Sequence, residues 1–222
     1  SIPGFQRPRA VAVDPFDATG WVCDADRERV YHLRRDGQVD ALSIGPLNQP
    51  VDVAVDPVDG FVWVAELGAN RVARYDAAKL QWPCPVPGPS RVAVDSTTRE
   101  GWVTSFDNGT VTRVSPTGQV LGTFTDFTAP LGVAVDSRNG RIWIADPYAG
   151  RVTALHPDGQ EEFRVTGLAD PGELSVDPAT GEAWVVLGIA GSVARISPSG
   201  TILRIQGGFR IPFAISVDPG GR

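Results

Sequence analysis

Short apolar runs recur along the chain at nearly constant intervals. The segment 131–146 reads LGVAVDSRNGRIWIAD, and close copies of it occupy 51–66 and 172–187. Each copy opens with an apolar run that has little polar alternation, which is typical of a β-strand buried on both faces. A turn rich in Pro, Gly and Asp follows, and three more short strand patterns come after it. The pattern therefore predicts four β-strands per repeat, with no helix.

Several anchor residues keep their spacing from repeat to repeat. The prolines are Pro8, Pro50, Pro89, Pro130, Pro171 and Pro212. Six residues after each proline stand Asp14, Asp56, Asp95, Asp136, Asp177 and Asp218. Seven residues after the first five aspartates stand Trp21, Trp63, Trp102, Trp143 and Trp184. The steps between prolines are 42, 39, 41, 41 and 41 residues. Four strands at a period near 40 residues are typical of a β-propeller blade.

We therefore predict an all-β fold, a β-propeller of four-stranded blades. We expect five complete repeats and a partial sixth, so that residues 1–222 leave the six-bladed ring incomplete. One domain, 1–222, is expected, with blades at about 8–49, 50–88, 89–129, 130–170 and 171–211, and a partial sixth formed by 212–222 with 1–6. Because natural proteins avoid open strand edges, we expect either a chain that continues past Arg222 or a partner strand that completes the sixth blade.

The segment 130–159, PLGVAVDSRNGRIWIADPYAGRVTALHPDG, resembles an NHL repeat, and the resemblance covers 7–218. The resemblance implies a β-propeller, most often six-bladed. It is specific for fold and poor for function, because related propellers include binding domains of receptors and scaffolds as well as lyases and lactonases.

The repeated residues are interpreted as architecture. The aligned tryptophans are expected to pack blade against blade rather than to stack on a ligand. The aspartates are expected to shape turns rather than to form a carboxylate ring for a cation. Trp82 lies outside the register. Two interpretations are open: the side chain is exposed on the surface, or it fills a gap at the rim of the propeller. Cys23 and Cys84 fall in different blades, so a disulfide between them is not expected.

Positions that vary between repeats are the informative ones for function. Two residues after the prolines, where other blades have Ala or Gly, stand Asp52, Arg91 and Glu173. The loops between second and third strands should bring further side chains to the same face. The predicted site for a ligand or partner comprises Asp52, Arg91, Glu173, Glu66, Asp107, Asp146 and Tyr148. The alternative is an Asp52–Arg91 pair that joins neighbouring blades, with Glu173 in solvent.

Few residues suit catalysis, so no catalytic or metal-binding residue is predicted. The chain has 2 histidines, His32 and His156, and both fall in third strands, away from the strand that lines the axis. The zinc-binding histidines that the resemblance implies for amidating lyases have no counterpart. The lactonase type implies calcium held by Glu, Asn and Asp, for which no recognisable ligand set is present. No cofactor is predicted, with calcium left open, and the enzyme alternative is a metal-assisted lyase or lactonase-type enzyme with its site at the propeller axis.

Charge narrows the range of partners. The net charge is −6 and the isoelectric point is near 4.9, which disfavours nucleic acid. No apolar run reaches the length of a membrane span. We therefore expect a non-enzymatic binding or scaffold propeller whose channel mouth takes a protein or a small polar ligand. The Gly- and Pro-rich β architecture, low Lys content and acidic isoelectric point favour an extracytoplasmic location.

Overall fold

The computed structural model describes residues 4–15 and 17–217, and their regular secondary structure is β-strand. Blade 1 consists of β1 (Pro8–Val13), β2 (Gly20–Asp24), β3 (Arg29–Leu33) and β4 (Val39–Ile44). Blade 2 consists of β5 (Pro50–Val55), β6 (Val62–Glu66), β7 (Arg71–Asp76) and β8 (Lys79–Pro85). Blade 3 consists of β9 (Arg91–Val94), β10 (Gly101–Ser105), β11 (Thr110–Val114) and β12 (Val120–Phe124). Blade 4 consists of β13 (Val133–Asp136), β14 (Arg141–Asp146), β15 (Arg151–Leu155) and β16 (Glu161–Thr166). Blade 5 consists of β17 (Pro171–Val176), β18 (Ala183–Leu187), β19 (Ser192–Ile196) and β20 (Ile202–Gly207).

In each blade the strands are hydrogen-bonded in chain order. In blade 4, Trp143 on β14 pairs with Ala134 on β13 and with Ala154 on β15, in antiparallel register. This up-and-down order brings the start of the first strand and the loop between the second and third strands to the same end of a blade. We call that end the loop end, and the opposite end the turn end.

By its internal contacts the chain divides into two compact units. The first consists of 1–105 with 112–123 and contains blades 1 and 2 and most of blade 3. Its core includes the fully buried Trp63, whose ring leaves no room for a Cβ atom at Gly101 of the next blade. The second consists of 106–111 with 124–222, and there Trp143 belongs to a cluster with Leu174, Val185 and further apolar residues of blade 5. Trp63 and Trp143 thus pack blade against blade, as predicted, whereas Trp184 of blade 5 is half-buried.

Trp82 makes a contact of the same kind, so it fills a gap and is not a surface residue. Its ring meets Trp63 edge to face at 4.9 Å between centroids, and its Nε1 donates a hydrogen bond to the Pro116 carbonyl at 2.9 Å. An added Cβ atom at Gly118 would lie 2.6 Å from this ring. Phe163 has the equivalent place in blade 4, edge to face with Trp143 at 5.5 Å.

The turn role predicted for the repeated aspartates is confirmed at several positions. A carboxylate oxygen accepts the backbone N–H two residues later in four blades, at Asp56, Asp95, Asp136 and Asp177. Burial acts to raise the pKa of the Asp136 carboxyl. Hydrogen bonds from the side chain and backbone of Arg138 outweigh that effect, and the pKa lies below its usual value.

The predicted partial sixth blade lies partly outside the described residues, because 1–3 and 218–222 are not among them. Residues 4–7 and 208–217 are not in strands. Phe5 contacts Tyr31 edge to face at 5.7 Å, and the Val217 N–H donates to Ser175 Oγ on β17 at 3.2 Å. Completion of this blade by further chain or by a partner strand stays a prediction.

Candidate functional site

In three blades, a buried carboxylate at the end of the second strand fixes the loop end of that blade. The residues are Asp24, Glu66 and Asp146, and each is fully buried. Asp146 accepts the backbone N–H groups of Thr128 and Ala129, both at 2.9 Å, and Asp24 accepts those of Gln6 and Arg7. Each therefore fixes a segment that leads into a first strand.

Glu66 and Asp146, both predicted as ligand contacts, are engaged in internal bonds. Glu66 accepts the Asn48 N–H at 3.1 Å and the Arg71 Nε–H at 2.7 Å. Tyr75 also donates to Glu66, and burial followed by this carboxylate raises the pKa of Tyr75 to about 12. A ligand would reach these carboxylates only by displacing such bonds, because neither side chain is exposed.

In the first unit, Asp52 ties two first strands together. Its Oδ2 accepts the Val92 N–H at 2.8 Å, which joins β5 to β9, and the residue is 8% exposed. The Arg91 guanidinium donates to the Ser90 carbonyl at 3.0 Å, and Arg91 is half-buried. Burial raises the pKa of the nearby Cys23 thiol to about 12, and the negative charge of Asp52 adds to this effect. Asp52 and Arg91 both lie at the loop end, and Asp52 bridges blades there.

In the second unit, the first strands of blades 4 and 5 approach closely at the loop end. An added Cβ atom at Gly132 would overlap the Gly172 carbonyl oxygen and lie 3.2 Å from the Glu173 Cα. Only glycine suits such an approach of two backbones. Glu173 follows this contact and is half-buried.

Tyr148, one of the predicted site residues, is exposed, with 73% of its surface accessible. It lies in the loop between β14 and β15 and meets Phe106 edge to face, with 5.2 Å between ring centroids. Phe106 is half-buried, and Asp107 beside it is exposed, in the loop between β10 and β11. These three residues of the second unit, Phe106, Asp107 and Tyr148, are named the aromatic ledge. The structure thus brings Asp107 and Tyr148 to neighbouring loops, whereas Glu66 and Asp146 lie below the surface.

Tight turns hold both loops of the aromatic ledge. Gly109 and Gly150 have φ values of +63° and +59°, in the left-handed region that favours glycine. The Gly150 N–H donates to the Pro147 carbonyl at 3.0 Å, and the Leu168 N–H donates to the Gly150 carbonyl at 3.0 Å. Ile189, at the position in blade 5 that corresponds to Tyr148, is 85% exposed. It was not among the predicted site residues. Its signal was the loop position that it shares with Tyr148, five residues after the tryptophan of the blade.

Both histidines lie away from the loop end. The His32 ring contacts the Trp21 ring in a tilted arrangement, with 4.6 Å between ring centroids, and lies near the end of β3. His156 follows β15 at the turn end of blade 4, beyond about 16 Å of strand from the loop that carries Tyr148. Among residues 4–15 and 17–217, no three His, Cys, Asp or Glu side chains are grouped as a metal site would need. No helix in these ranges is long and apolar enough to span a membrane.

Comparison with known proteins decides the family. The model of the virginiamycin B lyase family matches residues 5–222. The chain belongs to the virginiamycin B lyase family. Among curated proteins, none matches the chain. The propeller part of the sequence prediction is confirmed by solved structures, whereas an NHL repeat in particular is not.

Those structures include lyases and a nidogen/laminin complex. A catalytically inactive variant of virginiamycin B lyase from Staphylococcus aureus, with a histidine changed and with quinupristin, has a TM-score of 0.79 at 16% identity, over 93% of this chain and 72% of that one. A streptogramin B lyase has a TM-score of 0.81 at 16% identity, over 97% of this chain and 74% of that one. A chain of a nidogen/laminin complex has a TM-score of 0.76 at 14% identity, over 94% of this chain and 84% of that one. At these identities the likeness concerns the fold.

Proposed function

We propose that this chain is a binding propeller that takes a peptide or a peptide-like ligand on the aromatic ledge, without converting it. The observation that carries the proposal is the exposure of Tyr148, 73% accessible and in edge-to-face contact with Phe106. An exposed aromatic side chain held by a second ring offers a large contact area at a small entropy cost. Loops placed on a rigid β scaffold are a common location for binding residues.

The charged side chains around the ledge support binding more than catalysis. Asp146 is fully buried and satisfied by backbone N–H groups and by Arg151. His156 belongs to the turn end, so it is not a general base for a group bound at Tyr148. The nidogen/laminin complex offers a parallel, because a propeller-like structure in it takes part in a protein complex.

A random peptide library tests this proposal, because the selection itself identifies a ligand. Heptapeptides displayed on phage are selected on the wild-type protein and counter-selected on Tyr148→Ala. We expect enriched peptides whose binding is lost in Tyr148→Ala and kept in Val58→Ala, which trims a 48% exposed side chain in a turn of blade 2. Enriched peptides that bind both variants equally, or no enrichment at all, would contradict a binding role for the ledge.

The second candidate is a lyase, and family membership is the observation that favours it. The related Staphylococcus aureus enzyme with quinupristin suggests a cyclic peptide as the substrate class. The direct test is to incubate this chain with quinupristin and follow its conversion by chromatography, with and without added divalent metal. Conversion that is lost on boiling the protein would establish the lyase and overturn the non-enzymatic proposal. We expect quinupristin to be recovered unchanged.

A further inference from the structure

The chemistry of the aromatic ledge selects among ligands, and this inference rests on the proposed binding function. We propose that the ledge recognises a basic peptide segment, through an arginine or lysine side chain laid on Tyr148 with its charge facing Asp107. The occupant is a basic peptide.

The first support is the state of Tyr148. In the edge-to-face contact, Phe106 covers only part of the Tyr148 ring. Because Tyr148 is 73% exposed, most of its surface is open to solvent. The face of a tyrosine ring attracts a guanidinium or an ammonium group. This chain already uses that contact internally, since Arg195 lies 5.5 Å from the centroid of Trp184 and Arg74 lies 4.2 Å from that of Phe61.

The second support is the balance of charge at the loop end of the second unit. Asp107 is exposed, and the Asp126 side chain is 81% exposed. Arg151 and Arg164, the arginines of blade 4 nearest this end, are both ion-paired, Arg151 with Asp146 and Arg164 with Asp126. Because Asp126 is paired with Arg164, the exposed Asp107 is the carboxylate of the ledge that complements a cation, and the net charge of −6 steers a cation toward the protein.

Two other arginines, Arg210 and Arg91, would attract an acidic ligand. Arg210 is exposed in the segment that follows β20 and belongs to blade 5, near the Ile189 loop rather than the Tyr148 loop. Arg91 belongs to the first unit, and its guanidinium donates to the Ser90 carbonyl. An acidic ligand would favour these arginines instead, which makes peptide charge the property to vary.

The test compares two peptides of equal length by isothermal titration calorimetry at low salt. The probes are acetyl-Arg-Trp-Arg-Trp-amide and acetyl-Glu-Trp-Glu-Trp-amide. We expect the basic peptide to bind about tenfold more tightly, with a difference that shrinks as salt is raised. Equal binding of the two, or tighter binding of the acidic peptide, would overturn the proposal. If the acidic peptide binds and Tyr148→Ala abolishes that binding, the binding function stands and only the basic ligand class fails.

Matched variants separate the cation contact from general attraction. Tyr148→Phe keeps the ring and should keep the affinity, whereas Tyr148→Leu keeps apolar area and should weaken the basic peptide about fivefold. Asp107→Asn should weaken it about threefold. Asp158→Asn removes the same charge at the turn end of blade 4 and should leave the affinity unchanged. An equal loss in Asp107→Asn and Asp158→Asn would show attraction by net charge alone and overturn the assignment to the ledge.

Discussion

Replacing Asp146 with alanine should destabilise the fold far more than removing an exposed aspartate from the same blade. The wild-type carboxylate is fully buried and accepts the N–H groups of Thr128 and Ala129, both at 2.9 Å. It also accepts a hydrogen bond from the Arg151 guanidinium at 3.1 Å. Asp146→Ala leaves all three donors without this acceptor.

The expected loss follows from these contacts. A buried donor left without an acceptor costs about 1–3 kcal/mol, and the Ala129 N–H is such a donor. The Thr128 N–H is partly buried, so water compensates some of its loss. The Arg151 guanidinium also donates to the Asp126 carbonyl, so it keeps one partner and the full cost of breaking a buried ion pair does not apply. Together these contributions predict about 3–4 kcal/mol less free energy of unfolding.

Urea unfolding followed by tryptophan fluorescence measures this loss. Asp146→Asn should lie between the wild type and Asp146→Ala, because its amide oxygen still accepts one backbone N–H. The control is Asp158→Ala, an exposed turn residue whose carboxylate accepts the Gln160 N–H, and its effect should be much smaller. If Asp146→Ala and Asp158→Ala unfold at the same urea concentration, the buried carboxylate does not hold the loop end together.

Three other predictions follow from packing. Gly132→Ala should lower the thermal midpoint sharply, because the added Cβ would overlap a backbone carbonyl oxygen. In the control Gly207→Ala the added Cβ meets nothing within 4 Å, so the midpoint should hardly change. Equal midpoints for the two variants would contradict the close approach of the first strands of blades 4 and 5. Trp82→Ala should lower the free energy of unfolding in urea by about 3 kcal/mol, because the variant loses the ring contact with Trp63 and the hydrogen bond to the Pro116 carbonyl. A loss near zero would show that Trp82 is a surface residue. Cys23 and Cys84 are both buried, so a thiol reagent at pH 8 should label neither until denaturant is added, and rapid labelling of the native protein would refute their burial.

The repeat made the strands predictable, because the proline, aspartate and tryptophan anchors hold their spacing against the same backbone geometry in each blade. Trp143 and its counterparts Trp21, Trp63 and Trp102 could be assigned to the core for that reason. Trp82 could not, since it stands 19 residues after Trp63 and lacks a tryptophan at the same place in other blades. Phe163, 20 residues after Trp143, shows that the outer strand keeps an aromatic contact without keeping the residue type.

The site was harder to predict than the fold, because residue type does not reveal which way a side chain turns. Glu66, Asp107 and Asp146 are all acidic residues in or beside equivalent loops, yet Glu66 and Asp146 are buried and Asp107 is exposed. The difference is one of position. Glu66 and Asp146 end their second strands and meet backbone N–H groups, whereas Asp107 stands two residues past the end of β10. Predicting this required a distinction between the last strand residue and the loop that follows it.

The central claim, that this chain binds peptides at the aromatic ledge, is tested most directly by mapping where a peptide contacts the protein. Backbone amide resonances of the isotope-labelled chain are recorded by NMR during titration with acetyl-Arg-Trp-Arg-Trp-amide. We expect the largest shifts to fall in 106–109 and 147–150, the two loops that carry Phe106, Asp107 and Tyr148. Shifts concentrated instead at the turn end, around 157–160, or spread evenly over acidic residues of the whole surface, would contradict it.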